Sequence, residues 1–473
     1  MPSVMYFVLS VVALVGGYVI YSRVIERMFG ADNCKDTPAC TMADGVDFVK
    51  MKPWKIFMIQ LLNIAGLGPV FGPILGALYG PWALVWIVLG SIFAGGVHDY
   101  FSGMLSVRHD GKSIPDVVGA NLGNGFKHFM RYFSVLLLLL VGVVFVTGPA
   151  KLLSDMTGIS LMTLVVIIFV YYFLATILPV DKIIGRIYPL FAIILIIMAV
   201  GLTGAMILEG YEFYPSAHFG NQHPTGLPLW PLMFITIACG AISGFHATQS
   251  PMMARCVPNE NCGRPVFYGA MIAEGVIALI WATLGMSFYQ TPEALNAAIV
   301  AGGPGKVVKD VSVTLMGSVG AILAILGVVV PPITSGDTAS RSARLTIADV
   351  FGFSQKNRAS RLIIAVPLFV VGAALSQVNF DIIWRYFGWA NQTLATVVLW
   401  AAAVYLVRRG MIHWVATLPA TFMTCVTVTY LCFAKIGFNL PMDISTGVGI
   451  AVAVGSLALF LAQRKRFEAR PVA

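Results

Sequence analysis

The chain alternates long apolar runs with short polar connections from its first residues to its last. A helix that crosses a bilayer needs roughly 20 mostly apolar residues, because each rises about 1.5 Å across a hydrocarbon core of about 30 Å. Thirteen runs meet that need, near residues 3–22, 56–79, 81–106, 131–150, 159–180, 185–208, 229–250, 264–289, 311–333, 361–378, 382–406, 412–433 and 444–463. Several connections are very short, which predicts antiparallel helical hairpins. The longest gaps, 23–55 and 334–360, are too short and too polar to bury cores of their own. This is the pattern of an all-α polytopic membrane protein.

Two runs depart from plain Leu/Val/Ile helix. The second contains Asn63, Gly66, Gly68, Pro69, Gly72 and Pro73 at its middle. Proline lacks a backbone donor and clashes with the preceding turn, so the helix is expected to kink or unwind there. The seventh contains Cys239, Gly240, Ser243, Gly244, His246, Thr248, Gln249, Ser250 and Pro251, small residues mixed with an unusual density of polar groups. Freed backbone groups at membrane depth are tolerated only against protein or a water-filled cavity. Paired interruptions of this kind are the best sequence pointer to a transporter's binding site. They lie five spans apart, so spans 2–6 and 7–11 form two five-helix units, and the odd number inverts the second. That is the inverted repeat of LeuT-type transporters, with one extra helix before it and two after. The corresponding divisions are 1–55 for the extra helix and its loop, 56–208 and 209–406 for the two repeats, and 407–473 for two further helices and a basic tail. The plainer alternative is that Gly and Pro only let helices pack closely.

Composition agrees with the pattern. Of 473 residues 58% are hydrophobic and 11% charged, against roughly 25% charged in soluble domains, and the mean hydropathy is +0.85. A soluble enzyme, a nucleic-acid binder and a disordered chain are excluded. The net charge of +9 sorts by side: with the C-terminus cytoplasmic and the N-terminus outside, 25 of the 30 basic residues fall inside. Only Lys151, Lys306, Lys309, Arg385 and Lys435 fall outside, as the positive-inside rule requires. The run Val4–Tyr21 has no basic residue before it and no small-residue cleavage site after it, which predicts a retained first helix. Seven isolated cysteines do not read as a disulfide framework.

The segments Gly66-Leu-Gly-Pro-Val-Phe-Gly-Pro73, Ala94-Gly-Gly-Val-His-Asp99, Cys239-Gly-Ala-Ile-Ser-Gly-Phe-His246 and Ser335-Gly-Asp-Thr-Ala339 resemble those of the carbon starvation protein A (CstA) family. The resemblance runs from about Lys52 to past Gln392. It implies a bacterial or archaeal inner-membrane importer that responds to carbon starvation, of short peptides in some members and of pyruvate in others.

Ionisable groups at membrane depth are costly and functional by default. Those expected there are Asp99 beside His98, His246, Glu274 and, near a helix end, Asp337, each carboxylate able to load a coupling proton. The alternative for Asp337 is an ion pair with Arg341 one turn away. Span nine is expected to end in the Pro331-Pro332 run, where Thr334 and Ser335 could hold sodium together with carbonyls of the first broken helix; alternatively they cap that helix end. Proton and sodium both stay open. For a carboxylate substrate, half-helix N-termini offer unpaired N–H groups. Asn63, Gly66, Gly68, Ser243, Gly244, His246, Thr248 and Gln249 line these stretches, and Asn391 and Gln392 either complete the cavity or join helices. Cys34, Cys40, Cys256 and Cys262 fall in two predicted cytoplasmic segments and could bind zinc or an iron–sulfur cluster, or remain reduced thiols. The function expected is ion-coupled import, by alternating access within the lipid bilayer, of a small carboxylate-bearing nutrient, a short peptide or pyruvate. The alternatives are a nutrient sensor with a transporter fold or a membrane enzyme, for which no H-E-x-x-H or P-loop motif is present.

Overall fold

The computed structural model describes residues 2–45, 47–177, 181–216, 218–353 and 358–469. The end of the predicted span 159–180, together with Lys356 and Arg470, lies outside them. Among the described residues every regular element is helical. In chain order these are α1 (Val4–Phe29), α2 (Pro53–Ile64), α3 (Gly68–Tyr79), α4 (Trp82–Arg108), α5 (Ile114–Leu122), α6 (Asn124–Thr157), α7 (Leu161–Ile177) and α8 (Asp181–Leu208). There follow α9 (Leu229–Thr236), α10 (Gly244–Ala254), α11 (Glu260–Phe288), α12 (Pro292–Gly302), α13 (Pro304–Ala348), α14 (Ala359–Leu375), α15 (Phe380–Arg408), α16 (Trp414–Phe433) and α17 (Met442–Glu468). Among the described residues nine helices are long and apolar enough to cross a membrane, or ten if the bent pair α2–α3 counts as one. The runs near 159–180 and 361–378 fold into the shorter apolar helices α7 and α14.

Both interrupted runs break in the middle. α2 and α3 meet at 51°, with Ala65 at φ −79°, ψ 56° between them and Pro69 in the first turn of α3, where its missing N–H costs nothing. Residues 237–243 separate α9 from α10, and Gly240 there adopts φ +91°, a conformation that suits glycine. Neighbours take up the freed carbonyls: Trp86 Nε1 donates to Ile237 O at 3.3 Å and Ser91 Oγ to Gly240 O at 2.9 Å.

Close packing and chain breaking turn out to be one device. A Cβ on Gly68 would lie 2.1 Å from Cys239 Cβ, and one on Gly72 would lie 2.9 Å from Thr236 O. The two breaks therefore touch backbone to backbone, with α2 against α10 and α3 against α9. α11 and α4 flank this pair, and α15 packs on α10, α6 and α16.

The expected end of span nine is corrected by the structure. Pro331 and Pro332 do not close α13, which continues past them to Ala348. A wide turn at Ile325–Val329 directly precedes them, a local widening of the kind that lets a helix run on where regular i→i−4 bonds are not made. The departure from helix lies earlier, at Gly317 with φ +56°. Most of the gap read as a polar loop from 334 is thus helical.

Candidate functional site

Where α4, α10 and α11 meet, four fully buried titratable side chains form a line. His98 Nδ1 lies 2.7 Å from Asp99 Oδ1, and His246 Nδ1 lies 2.8 Å from Asp99 Oδ2. On its other edge, His246 Nε2 sits 3.2 Å from Glu274 Oε2, close but not aligned as a hydrogen bond. A carboxylate only accepts, so both imidazoles donate to Asp99 from Nδ1. Between His246 Nε2 and Glu274 one proton then has two homes, on the ring or on the carboxyl group. Serines zip the helices around this line: Ser102 Oγ donates to Ser250 Oγ at 3.1 Å, and Ser250 Oγ is also 2.9 Å from His246 O.

The second break is held by a small polar network. Cys239 Sγ donates to Ser243 Oγ at 3.3 Å, and Ser243 Oγ donates to Asn391 Oδ1 at 3.1 Å. Asn391 Oδ1 also accepts from Phe245 N at 2.6 Å, and its Nδ2 donates to Cys239 Sγ at 3.4 Å. Asn391 is therefore spent on capping α10, and Gln392 Nε2 donates to Phe234 O at 3.1 Å. Thr248 Oγ1 donates to Phe245 O and accepts from Gln249 Nε2, which leaves Gln249 Oε1 buried without a partner. Gly244 is needed where α10 meets α15, since a Cβ would lie 2.3 Å from Asn391 O. Gly66 is similarly covered by the Phe145 ring.

Near the first break, the amides of Asn63 and Gln60 are buried with no protein partner. Gln60 escaped notice in the sequence, although an amide one turn from Asn63 in an apolar run is the signal that finds it. Ser335 Oγ reaches across to donate to Leu62 O at 3.1 Å, whereas Thr334 Oγ1 folds back onto Pro331 O at 2.8 Å. Asp337 is buried with both carboxylate oxygens unbonded. Arg341 does not form the expected ion pair with it and donates to Ala175 O at 2.9 Å.

The segments carrying Cys34–Cys40 and Cys256–Cys262 do dock, through Thr37 Oγ1 to Val257 O at 2.6 Å. Their thiols do not converge. Cys40 Sγ faces Pro258 O, Cys256 Sγ faces Met252 O and Cys262 Sγ faces Asn259 Oδ1, so each is turned to an acceptor of its own. Among the described residues, three metal-ligating side chains approach one another only at Cys239, His246 and Glu274, whose atoms lie within 4.8 Å. There the thiol is donated to Ser243, while His246 Nε2 and both Glu274 oxygens lie close without an aligned hydrogen bond.

A second charged cluster went unread. Arg108, at the end of α4, pairs with Glu260 through Nε–Oε1 and Nη2–Oε2 contacts of 2.9 Å each. It also donates to Phe29 O, Gly30 O and the Tyr405 hydroxyl. Glu260 Oε2 accepts from Asp32 N at 2.9 Å.

Comparison with known proteins follows from this geometry. A sequence model described as carbon starvation protein CstA matches residues 2–148, 143–291 and 290–430. An uncharacterised membrane protein of Haemophilus influenzae is 47% identical over 351 residues, covering 63% of this chain and 95% of its own. The peptide transporter CstA of Bacillus subtilis is 26% identical, covering 86% of each chain. Two solved transporters share the fold. MHP1, a nucleobase-cation-symport-1 family transporter, gives a TM-score of 0.54 at 14% identity over 88% of this chain and 96% of its own. A manganese transporter of Eremococcus coleocola gives 0.54 at 13% identity over 90% and 99%.

Proposed function

The chain belongs to the carbon starvation protein CstA family, and we propose that it is a secondary active importer of short peptides, or of pyruvate, coupled to protons at the His98–Asp99–His246–Glu274 line. The observation that carries this reading is the approach of His246 Nε2 to Glu274 Oε2, 3.2 Å apart, within a fully buried line of four titratable groups. The line joins α10, one half of a broken helix, to α4 and α11. A proton that changes sides on this line changes the attraction between those helices. Tilting one bundle against the other around broken helices is how such transporters expose a site to alternate sides. The substrate reading is supported by relatives named peptide transporters and by the unbonded amides of Gln60, Asn63 and Gln249 beside the breaks.

In this reading residues 56–208 and 209–406 are the two inverted repeats of a LeuT-type core. With thirteen spans the two termini would lie on opposite sides, and the excess of Lys and Arg on one side supports a cytoplasmic C-terminus in a bacterial cell. Sodium is the second coupling ion to weigh, because Ser335 Oγ meets Leu62 O beside the first break. Hydroxyl and carbonyl oxygens are the ligands a hard cation takes.

Uptake of radiolabelled dialanine and pyruvate into proteoliposomes tests the proposal. Dialanine is expected to accumulate under an inward proton gradient. Glu274→Gln is expected to stop accumulation while leaving counterflow exchange. Accumulation driven by sodium alone, and lost in Ser335→Ala, would replace the proton by sodium. Failure of both substrates under either gradient would sink the import reading.

A further inference from the structure

The largest cavity described opens at the opposite end of the molecule from Arg108. It encloses about 630 Å³, within the range of roughly 300–1,000 Å³ usual for small-molecule sites. Tyr79, Trp384 and Tyr430 form its walls, and Asp381, Arg385 and Lys435 reach its lining. Its floor includes Ile235 and Thr236, the last turn of α9 before the second break. The cavity therefore leads towards the proposed transport site without being part of it.

Three observations give it a chemistry. Arg385 and Lys435 are two of the five basic residues that the charge pattern leaves on the sparsely basic side. Two others there are tied down: Lys306 to Asp310 at 2.8 Å, and Lys309 to Asp155 O. Arg385 and Lys435 instead carry no hydrogen bond or ion pair to any described residue, and both line the cavity. Asp381 and Arg385 stand one turn apart on α15, the spacing at which a carboxylate and a guanidinium normally pair, yet no ion pair joins them. The turn bearing Lys435 is pinned to α15 by the Tyr386 hydroxyl, which donates to Ile436 O at 3.2 Å. Two cations and one anion, all three exposed, thus face one aromatic-walled space without pairing to each other.

We infer that this cavity is a capture site for short peptides, taking the free carboxylate on Arg385 and Lys435 and the free ammonium on Asp381. A guanidinium matches a carboxylate through two parallel N–H donors. Aromatic faces suit a cation or a planar peptide group. Both signs of charge fit a zwitterion, whereas pyruvate has only one charged end and three carbons for a space of this size. The inference rests on the import reading and narrows its substrate class to peptides with both ends free.

Binding and uptake together test it, with full-length protein in nanodiscs and in proteoliposomes. The probes are dialanine, dialanine amide and N-acetyldialanine. In calorimetric titration dialanine is expected to bind wild-type protein at least about tenfold more tightly than either blocked form, a difference of about 1.4 kcal/mol. The Arg385→Gln/Lys435→Gln variant is expected to lose that preference over the amide, and Asp381→Asn to lose it over the N-acetyl form. Arg385→Lys, which keeps the charge, is expected to restore at least part of the affinity and controls for folding. Equal binding of dialanine and its amide by wild-type protein overturns the inference, as does unchanged dialanine affinity in the double variant. Should wild-type protein accumulate dialanine while the double variant keeps its KM, the capture site falls and import stands. Should dialanine bind with these preferences but never cross, import falls and the site stands.

Discussion

The molecule buries two clusters of charge that differ in how completely they are satisfied. In the Arg108–Glu260 knot, Arg108 pairs with both carboxylate oxygens and bonds two backbone carbonyls and a tyrosine, with its guanidinium 3.9 Å from the Phe29 ring. In the His98–Asp99–His246–Glu274 line, His98 Nε2 and both Glu274 oxygens lack an aligned hydrogen bond. A satisfied buried pair is fixed, because any movement exposes an unpaired charge. A partly satisfied one keeps atoms, here His98 Nε2 and both Glu274 oxygens, that can gain a bond when it rearranges. In the proposed reading the first holds while the second changes state.

The sharpest way to break this contrast is Asp99→Asn. Gradient-driven uptake in proteoliposomes is expected to fall to the leak of empty vesicles, while dialanine binding in nanodiscs stays within about threefold, under 1 kcal/mol. Persistent coupled uptake would remove Asp99 from the line's function. In the knot, Glu260→Gln is expected to cost about 1–3 kcal/mol, because it removes the counter-charge of a largely buried guanidinium while leaving its other acceptors in place. Thermal unfolding in detergent measures this, and Arg108→Met/Glu260→Leu is expected to recover most of the loss. Gly68→Ala drives a Cβ into Cys239 and is expected to cost about 1–3 kcal/mol through overpacking. Adding Cys239→Gly, which removes the opposing Cβ, is expected to relieve it.

A partly exposed cluster between α5 and α6, Asp116 with Lys127 and Arg131, calibrates the scale from below. Burial alone would raise the Asp116 carboxyl, but Lys127 at 2.7 Å and Arg131 at 3.5 Å outweigh it and hold its pKa below 3.8. A depressed pKa means stability that is complete above pH 3.8 and lost as pH falls through the lower, folded value. The expected contribution is about 0.2–1 kcal/mol. It should vanish from the acid limb of the stability curve in Lys127→Met/Arg131→Met.

Hydrophobic runs and breaker residues made most of the fold legible. The apolar segments all contain helix, and Gly66–Pro73 and Cys239–Pro251 mark the two breaks. The end of α13 differs from the sequence reading because Pro331 and Pro332, placed just after a wide turn, let the helix run on instead of stopping it. Of the candidate site, Asp99, His98, His246 and Glu274 were each visible as costly residues in apolar runs. Their connection was not, since it depends on how α4, α10 and α11 rotate against one another. Arg108 and Glu260 do not stand out in the sequence, and only tertiary packing brings them together across 152 positions. The four cytoplasmic cysteines show the converse: docking of their segments followed the sequence pattern, but thiol direction obeyed local acceptors.

The position of the knot has a kinetic meaning. If the proposed transport cycle opens the molecule at the knot's end, Arg108 and Glu260 have to part, while a cavity lined by Tyr79, Trp384 and Tyr430 lies at the opposite end. If separation costs about 3 kcal/mol, fewer than about one resting molecule in a hundred faces the knotted side. An empty carrier would then idle in one orientation, and slippage of ions without cargo would be suppressed by scarcity of the return conformer alone.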